Sequence, residues 1–385
     1  MAAVATQHGS AIGSNNSSRS NRHTYMTSSY IVAQLARASS LSNDNAAQSN
    51  NNSSSSSNNS NSNNDNNGAT GKISVQPRVD QQEIFDNPAM QTATKCCVFI
   101  KEIARKMGFP ARTASTAQLL VYRTYIYRPT TRIGSTDLAT GCLLVSSKME
   151  ETIKKLRDII AHSYVLSSKP QSSKSDPKQV PSSVIDKMRP NVMNAEQLIL
   201  EAIGYDFRTS HTHLLFVKLA KMVGLTRESA VATSGWAILL DAYFTTLPIQ
   251  YPSTVISAGS LVLAWCINTD EPKDTCSFIR HLFMSSDNNS SRHSNGGYST
   301  LPKTKSKRPP ALALEGDNEW WVDFGVSTAD IQGFVKQMVD FYLLFFNSTM
   351  ATAEYLERHK YGIPNKSISQ KIAQWRLKLS DTSSK

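Results

Sequence analysis

Two stretches of this chain repeat one another in register. Ser135-Thr136 matches Ser253-Thr254, Gly141 matches Gly259, Leu143 matches Leu261 and Tyr125 matches Tyr243, each pair 118 positions apart. Shared apolar residues alone would carry little weight. A hydroxyl pair, a glycine and a tyrosine in one register point to an internal duplication. The apolar residues around them recur at a 3.6-residue period, so each copy can bury its faces only by packing helix on helix. The expected fold is all-α, two tandem five-helix repeats.

The first copy is organised around Leu138–Ile160. A helix of small and apolar residues (Ala139, Gly141, Cys142, Leu143, Leu144, Val145) ends in Ser146-Ser147-Lys148-Met149-Glu150-Glu151, and an amphipathic piece over Lys155–Tyr164 follows. Glycine inside a helix costs about 1 kcal/mol relative to alanine, so Gly141 predicts the close approach of a neighbouring helix. The Ser135/Thr136/Asp137 cluster is the expected N-terminal cap. At the repeat offset Lys148 corresponds to Cys266. The copies therefore share a core but not the polar tip, as expected if only the first carries a partner site.

Around this centre the pattern predicts a helix over Pro88–Met107, stopped by Gly108-Phe109-Pro110, and a second from about Thr113 to Arg128. Residues 167–183 are Pro/Ser/Lys-rich loop. A fifth helix, Val184–Ile203, is expected to be interrupted or bent at Pro190, with Gly204 capping it. The second copy reads as helices over Thr212–Val223, Thr226–Thr246 and Pro252–Ile267. A long final helix runs from Ser327 to about His359, opened by a near capping box at Ser327 and Asp330.

The domain expectation is an Asn/Ser-rich disordered arm over 1–84, a first unit over 85–207, a second over 208–360 with a disordered insert at 285–314, and a basic tail over 361–385. The arm contains SNNNSSSSSNNSNSNNDNN, too polar to offset the entropy of ordering it. Charge follows the same division. Residues 285–314 carry five Lys/Arg against Asp287, and 355–385 carry seven against Glu357 and Asp381, which leaves little of the net +11 for the rest. That distribution argues against a folded basic cleft for nucleic acid. The five cysteines have no CxxC spacing and sit among apolar neighbours, as reduced buried thiols do. No uninterrupted apolar run reaches the length of a membrane span.

No constellation for catalysis, cofactor or metal is present: no GxGxxG, GxxxxGK[ST], HExxH or GxSxG. His211 and His213 are expected as surface or capping residues rather than metal ligands. Glu150 and Glu151 alone read as a solvated turn rather than an acid/base pair, and Lys148 alone as a lysine favoured by the helix dipole. Trp320 and Trp321 read as buried anchors.

Three segments change those weights. Ser146–Glu151 followed by Lys155-Leu156-Arg157-Asp158-Ile159-Ile160 resembles the third-to-fourth helix junction of a cyclin box. Glu196-x-Leu198-Ile199-Leu200-x-x-Ile203-Gly204-Tyr205-Asp206-Phe207 is similar to its fifth helix. Glu319-Trp320-Trp321-x-x-Phe324-x-Val326 is similar to the transcription-type cyclins of the K and T groups. The resemblance covers about Pro88 to His359 apart from the inserts. Within that family it lies nearest the cyclin subunits of fungal kinases acting on the RNA polymerase II C-terminal domain.

The resemblance implies a regulatory subunit with no catalytic group of its own and no cofactor, working in the nucleus in transcription elongation. It implies a cyclin-dependent kinase catalytic subunit as partner, with a third subunit as a further candidate and the polymerase C-terminal domain reached through the kinase. Neither a membrane nor a specific nucleic-acid site is expected. The residues matching the family's kinase contact are Lys148 and Glu196, flanked by Met149, Glu151, Leu200, Tyr205 and Phe207. In cyclins such a pair grips the backbone of the loop before the kinase αC helix, favouring its inward, active position. Lys303, Lys305, Lys307 and Arg308 form a candidate nuclear-import cluster, a plain solvated loop being the alternative. The alternative functions are a two-cyclin-fold general transcription factor contacting DNA or polymerase, motivated by the basic insert and tail, and a scaffold that binds a kinase without activating it.

Overall fold

The computed structural model describes residues 87–128, 133–168, 176–268, 320–348 and 351–383, together with Met26, Ile31, Ala33 and Gln34. Every regular element among them is helical. The first repeat holds α1 (Pro88–Met107), α2 (Ala111–Tyr127), α3 (Ser135–Met149), α4 (Leu156–Ser167) and α5 (Ser182–Ala202), with a 3₁₀ turn at Pro177–Gln179. The second holds α6 (Thr212–Met222), α7 (Ala230–Ala242), the single turn α8 (Leu247–Gln250), α9 (Ser253–Asn268) and α10 (Thr328–Asn347), preceded by a 3₁₀ turn at Trp320–Phe324. Two further helices, α11 (Ala353–Arg358) and α12 (Lys366–Ser383), close the chain. The insert at 285–314, its basic cluster and Cys276 lie outside the described residues.

The duplication is visible in the helices themselves. The central helix of each repeat, α3 and α9, begins at the matched serines Ser135 and Ser253. Each glycine lies where the repeat's last helix crosses. A Cβ on Gly141 would stand 2.8 Å from the Cβ of Ala195 in α5, and one on Gly259 would fall within the ring of Phe334 in α10. Small residues at a crossing let two backbones approach, and here they set the spacing of both bundles. Thr94 and Thr212, again 118 apart, each bond a tyrosine further along the repeat, Tyr122 of α2 at 3.2 Å and Tyr243, just past α7, at 2.7 Å.

Buried polar contacts join the repeats. Asp241 in α7, 1% exposed, accepts from Lys101 Nζ in α1 at 3.0 Å, from Tyr342 Oη in α10 at 2.7 Å and from the Asn365 peptide N–H at 2.7 Å. A buried carboxylate survives only when its lone pairs are used, and Asp241 uses them to tie three parts of the chain together. The Tyr122 hydroxyl donates to the Phe244 carbonyl across the same seam.

Several sequence expectations are corrected. Gly134, not the Ser135 cluster, occupies the cap position of α3 and makes no side-chain cap bond; Ser135 is already helical. Helix α5 is not interrupted at Pro190, which lies on its exposed side; Ile185, Val192, Ala195 and Ile199 hold the other face in the core and keep the segment in place. The expected helix over Thr226–Thr246 is shorter at both ends, Ala230–Ala242, and the separate turn α8 follows it with Pro248 in its first positions. The final long helix stops at Asn347.

The basic tail is a helix, α12, whose Ile368, Ile372 and Trp375 are buried. Its Lys/Arg content hid an apolar face at 3.6-residue spacing. Nor is the N-terminal arm without structure throughout. Met26 and Ile31 are buried in the common core, and the Met26 peptide N–H donates to the Ile249 carbonyl at 3.0 Å. The arm's Asn/Ser average masked these apolar residues. Among the described residues no helix is long and apolar enough to cross a membrane.

Candidate functional site

Helices α3 and α5 pack side by side and end near one another, in the same kind of turn. After α3 the Thr152 N–H returns to the Ser147 carbonyl at 2.8 Å and the Glu151 N–H to Lys148 at 3.3 Å. After α5 the Tyr205 N–H returns to Leu200 at 3.1 Å and the Gly204 N–H to Glu201 at 3.1 Å. These paired bonds define the Schellman ending, which requires a left-handed residue just past the helix. Gly204 fills that place after α5 with φ 59°, but after α3 it is filled by Glu151 with φ 55°, and Tyr205 is left-handed too, with φ 56°. Glu151 and Tyr205 are the only non-glycine residues with positive φ among those described. Left-handed backbone costs an L-residue about 1 kcal/mol or more, and such strain concentrates at working surfaces.

Between the two helix ends stands the ion pair. Lys148 Nζ lies 2.5 Å from Glu196 Oε1, with the lysine side chain 53% exposed and the glutamate 10%. Glu196 is on the buried side of α5, one residue past Ala195, which meets Gly141. Glycine at 141 thus lets α5 approach closely enough for the pair to form. Met149 and Leu200 are half-buried beside it, and Glu151 is exposed. Tyr205 and Phe207 present 60% and 51% of their surface. Asp206 between them is held by two bonds from Arg208, 2.7 and 2.8 Å long, which keep its carboxyl below the usual carboxylate range.

Glu150 is not part of a solvated turn. It is 5% exposed, paired with Arg112 Nε at 2.6 Å, and accepts from Thr116 at 2.7 Å and Thr209 at 3.5 Å. It fixes the end of α3 to the start of α2 and to the α5–α6 connection. Two adjacent glutamates gave no hint that one would turn inward and the other out. Ile153, just past the left-handed turn, is 73% exposed and was not singled out in the sequence. An isoleucine so placed adds apolar area to the same tip.

The described cysteines, Cys96, Cys97, Cys142 and Cys266, are buried in the core, and burial pushes the Cys96 thiol up to about 12 and raises Cys97 and Cys142 well above the ordinary value. Such thiols are not nucleophiles at neutral pH. No group of His, Cys, Asp and Glu fit for a metal occurs among the described residues. His213 is not a surface residue: its ring stacks on Tyr243 and meets Ser115 Oγ at 3.2 Å, and burial lowers its pKa to about 4. Trp320 and Trp321 are buried, 6% and 1% exposed.

No family model matches the sequence. Among curated proteins the chain is 34% identical over 166 residues to the CTD kinase subunit beta of Schizosaccharomyces pombe, a match covering 43% of this chain and 49% of that protein. It is 24% identical over 247 residues to cyclin-T1-4 of Arabidopsis thaliana, covering 64% and 38%. To human cyclin-K it is 25% identical over 170 residues, covering 43% and 27%. The aligned part spans half or less of the length of these relatives. A chain of the yeast RNA Pol II CTD kinase CTDK-1 complex aligns over 74% of each chain with 17% identity and a TM-score of 0.48, too weak a likeness to support an argument. Over the aligned part the chain is similar to cyclins of the T and K kind. More particularly, it resembles the CTD kinase subunit beta.

Proposed function

We infer that this chain is the cyclin subunit of a cyclin-dependent kinase that phosphorylates the RNA polymerase II C-terminal domain, acting in the nucleus in support of elongation. It contributes no catalytic group; it shifts a two-state kinase toward its active form. The first repeat, residues 85–207, is the kinase-binding unit in this reading. The observation that carries the reading is the Lys148–Glu196 pair standing half in solvent between two strained helix ends. With its lysine half open to solvent the pair contributes on the order of 1 kcal/mol to folding, so stability alone is a weak reason to set it there. As a docking element it is well suited. The ammonium has further N–H donors for backbone carbonyls of a kinase loop, and the carboxylate holds that ammonium in place.

Tyr205, Phe207 and Ile153 supply exposed apolar surface around this polar centre, and Met149 and Leu200 lie partly open beside it. Apolar anchors around a desolvated polar contact provide most of the affinity in such interfaces. Relatives bearing the names CTD kinase subunit beta and cyclin-K support the choice of partner.

The test is the double substitution Lys148→Ala with Glu196→Ala in the full chain. The variant is expected to keep its thermal unfolding midpoint within a few degrees while losing copurification of the kinase and phosphorylation of a C-terminal-domain substrate. Undiminished copurification would overturn the assignment of this surface. Retained binding without activation would instead favour the scaffold reading.

A further inference from the structure

A second surface lies on the other repeat, away from the tip of α3. Helices α6 and α7 enclose a groove of about 530 Å³. Its floor is Phe216 and Ala220, its walls Val217, Leu225, Ala232 and Trp236. The groove exists because the facing positions on α7 are small. Gly235 lets the Phe216 ring lie against the helix, where a Cβ would come 3.0 Å from it, and Trp236 meets that ring edge-on at 5.8 Å. The apolar surface continues outward along α6, where Leu214 and Val217, at i and i+3, are 61% and 39% exposed. An aromatic-floored groove running into exposed leucine and valine is more apolar surface than a solvated helix pair needs.

The rim is basic. Lys221 and Arg227 line the groove and Lys218 adjoins them on α6. All three are exposed, and none forms an ion pair among the described residues. An apolar slot edged by uncompensated cations selects its occupant by charge. We propose that the α6–α7 groove docks a short acidic segment of another protein, one or two large apolar side chains flanked by carboxylates, separately from the kinase contact. The apolar anchors enter over Phe216 between Val217 and Trp236, while the carboxylates meet Lys218, Lys221 and Arg227. This chain contains stretches of similar chemistry, residues 80–86 (DQQEIFD) and 311–319 (ALALEGDNE), which makes occupation from within the chain the competing case.

A phage-displayed library of random 12-residue peptides, selected on the full chain, tests the proposal. Enriched peptides are then measured by fluorescence anisotropy on the parent, on Ala232→Trp, on Lys221→Glu with Arg227→Glu, and on chains lacking 80–86 or 311–319. The expected consensus carries Phe, Leu or Trp beside at least two Asp/Glu. Filling the groove with Ala232→Trp should weaken binding about tenfold or more, and charge reversal at the two exposed cations about tenfold, with affinity falling as salt rises. Charge reversal involves only exposed residues, so it still decides the matter if Ala232→Trp fails to fold. The proposal is overturned if no peptide is enriched, if the consensus lacks acidic residues, or if charge reversal leaves binding unchanged. Binding about tenfold tighter to the chain lacking 80–86 or to the chain lacking 311–319 would also overturn it, since the groove would then be filled in cis. None of these readouts passes through the kinase, so failure here leaves the Lys148 reading untouched.

Discussion

The ends of α3 and α9 occupy equivalent places in the two repeats and are built from opposite materials. Lys148 at the end of α3 has a side chain 53% exposed and paired with Glu196. Cys266, its counterpart in α9, is 0% exposed. The partner helices follow the same rule. Ala195 meets Gly141 and Phe334 meets Gly259, so the residue after each, Glu196 or Val335, holds the matching place, and Val335 is 0% exposed. One copy closes its tip with apolar packing; the other leaves a charge pair at the surface. The helix-crossing geometry is common to both, so the crossing cannot be what the charge pair serves. The two copies share a scaffold and differ at this tip, which is the contact surface under the proposed function.

Exchanging the tips is the most direct way to break this contrast. Cys266→Lys is expected to have the largest effect, lowering stability by about 3 kcal/mol or more, because it puts an ammonium with no assigned partner where Val335 stands in place of a glutamate. Chemical denaturation would measure it. A midpoint close to the parent's would mean that the second tip has an outlet to water, and the copies would differ less than argued here. The reverse exchange, Lys148→Cys with Glu196→Val, should keep the fold within about 1 kcal/mol. It should weaken kinase binding by about 30-fold, or 2 kcal/mol, measured by surface plasmon resonance.

The shared crossing can be sharpened with the two glycines. Alanine would gain about 1 kcal/mol of helix propensity at either site. At Gly141 the new methyl meets Ala195 Cβ at 2.8 Å, and at Gly259 it meets the ring of Phe334, itself 0% exposed. Overpacking of this kind costs about 1–3 kcal/mol. Both Gly→Ala variants should therefore be destabilised by about 1 kcal/mol net, Gly259→Ala more than Gly141→Ala, since a buried ring has less room to yield than a methyl group. Melting curves of the two single variants decide the order. A stabilised Gly141→Ala would show that α5 can retreat without loss.

How much of this could be read in advance differs by type of information. Helical class and duplication were legible because periodicity and a fixed offset constrain helix faces, whereas the Lys148–Glu196 meeting was implied only by the resemblance to a cyclin box. Pro88–Met107 matched α1 to the residue, since its end is fixed locally by Gly108, whose φ of 67° only glycine adopts freely. What failed depended on tertiary partners. Glu150 turned inward because Arg112 and Thr116 were waiting, residues 38 and 34 positions away. The α12 face and the burial of Met26 and Ile31 were lost in averages over polar segments. The α6–α7 groove depends on how Phe216 settles against Gly235, which no spacing reveals.

A last asymmetry between the repeats sits at their seam. His213 aligns at the repeat offset of 118 with Lys95, an exposed residue of α1. His213 instead stacks on Tyr243 at 5.9 Å, meets Trp236 edge-on at 5.6 Å, and bonds Ser115 of the first repeat at 3.2 Å. Burial lowers its pKa from 6.5 to about 4, with Arg112 and His211 adding repulsion. Because the folded pKa lies below the unfolded one, the neutral ring's contribution is complete above about pH 6.5 and is lost as pH falls toward 4. His359, also lowered to about 4 by burial, acts in the same direction. The parent chain should therefore lose stability on mild acidification, and His213→Phe should lose about 1 kcal/mol less than the parent between pH 7.5 and 5.5. Denaturation midpoints at four pH values would measure that difference in slope, which the His359 contribution does not affect. Parallel slopes would mean that protonated His213 is accommodated at the seam, and that the repeats are held there by Asp241 and Tyr122 without it.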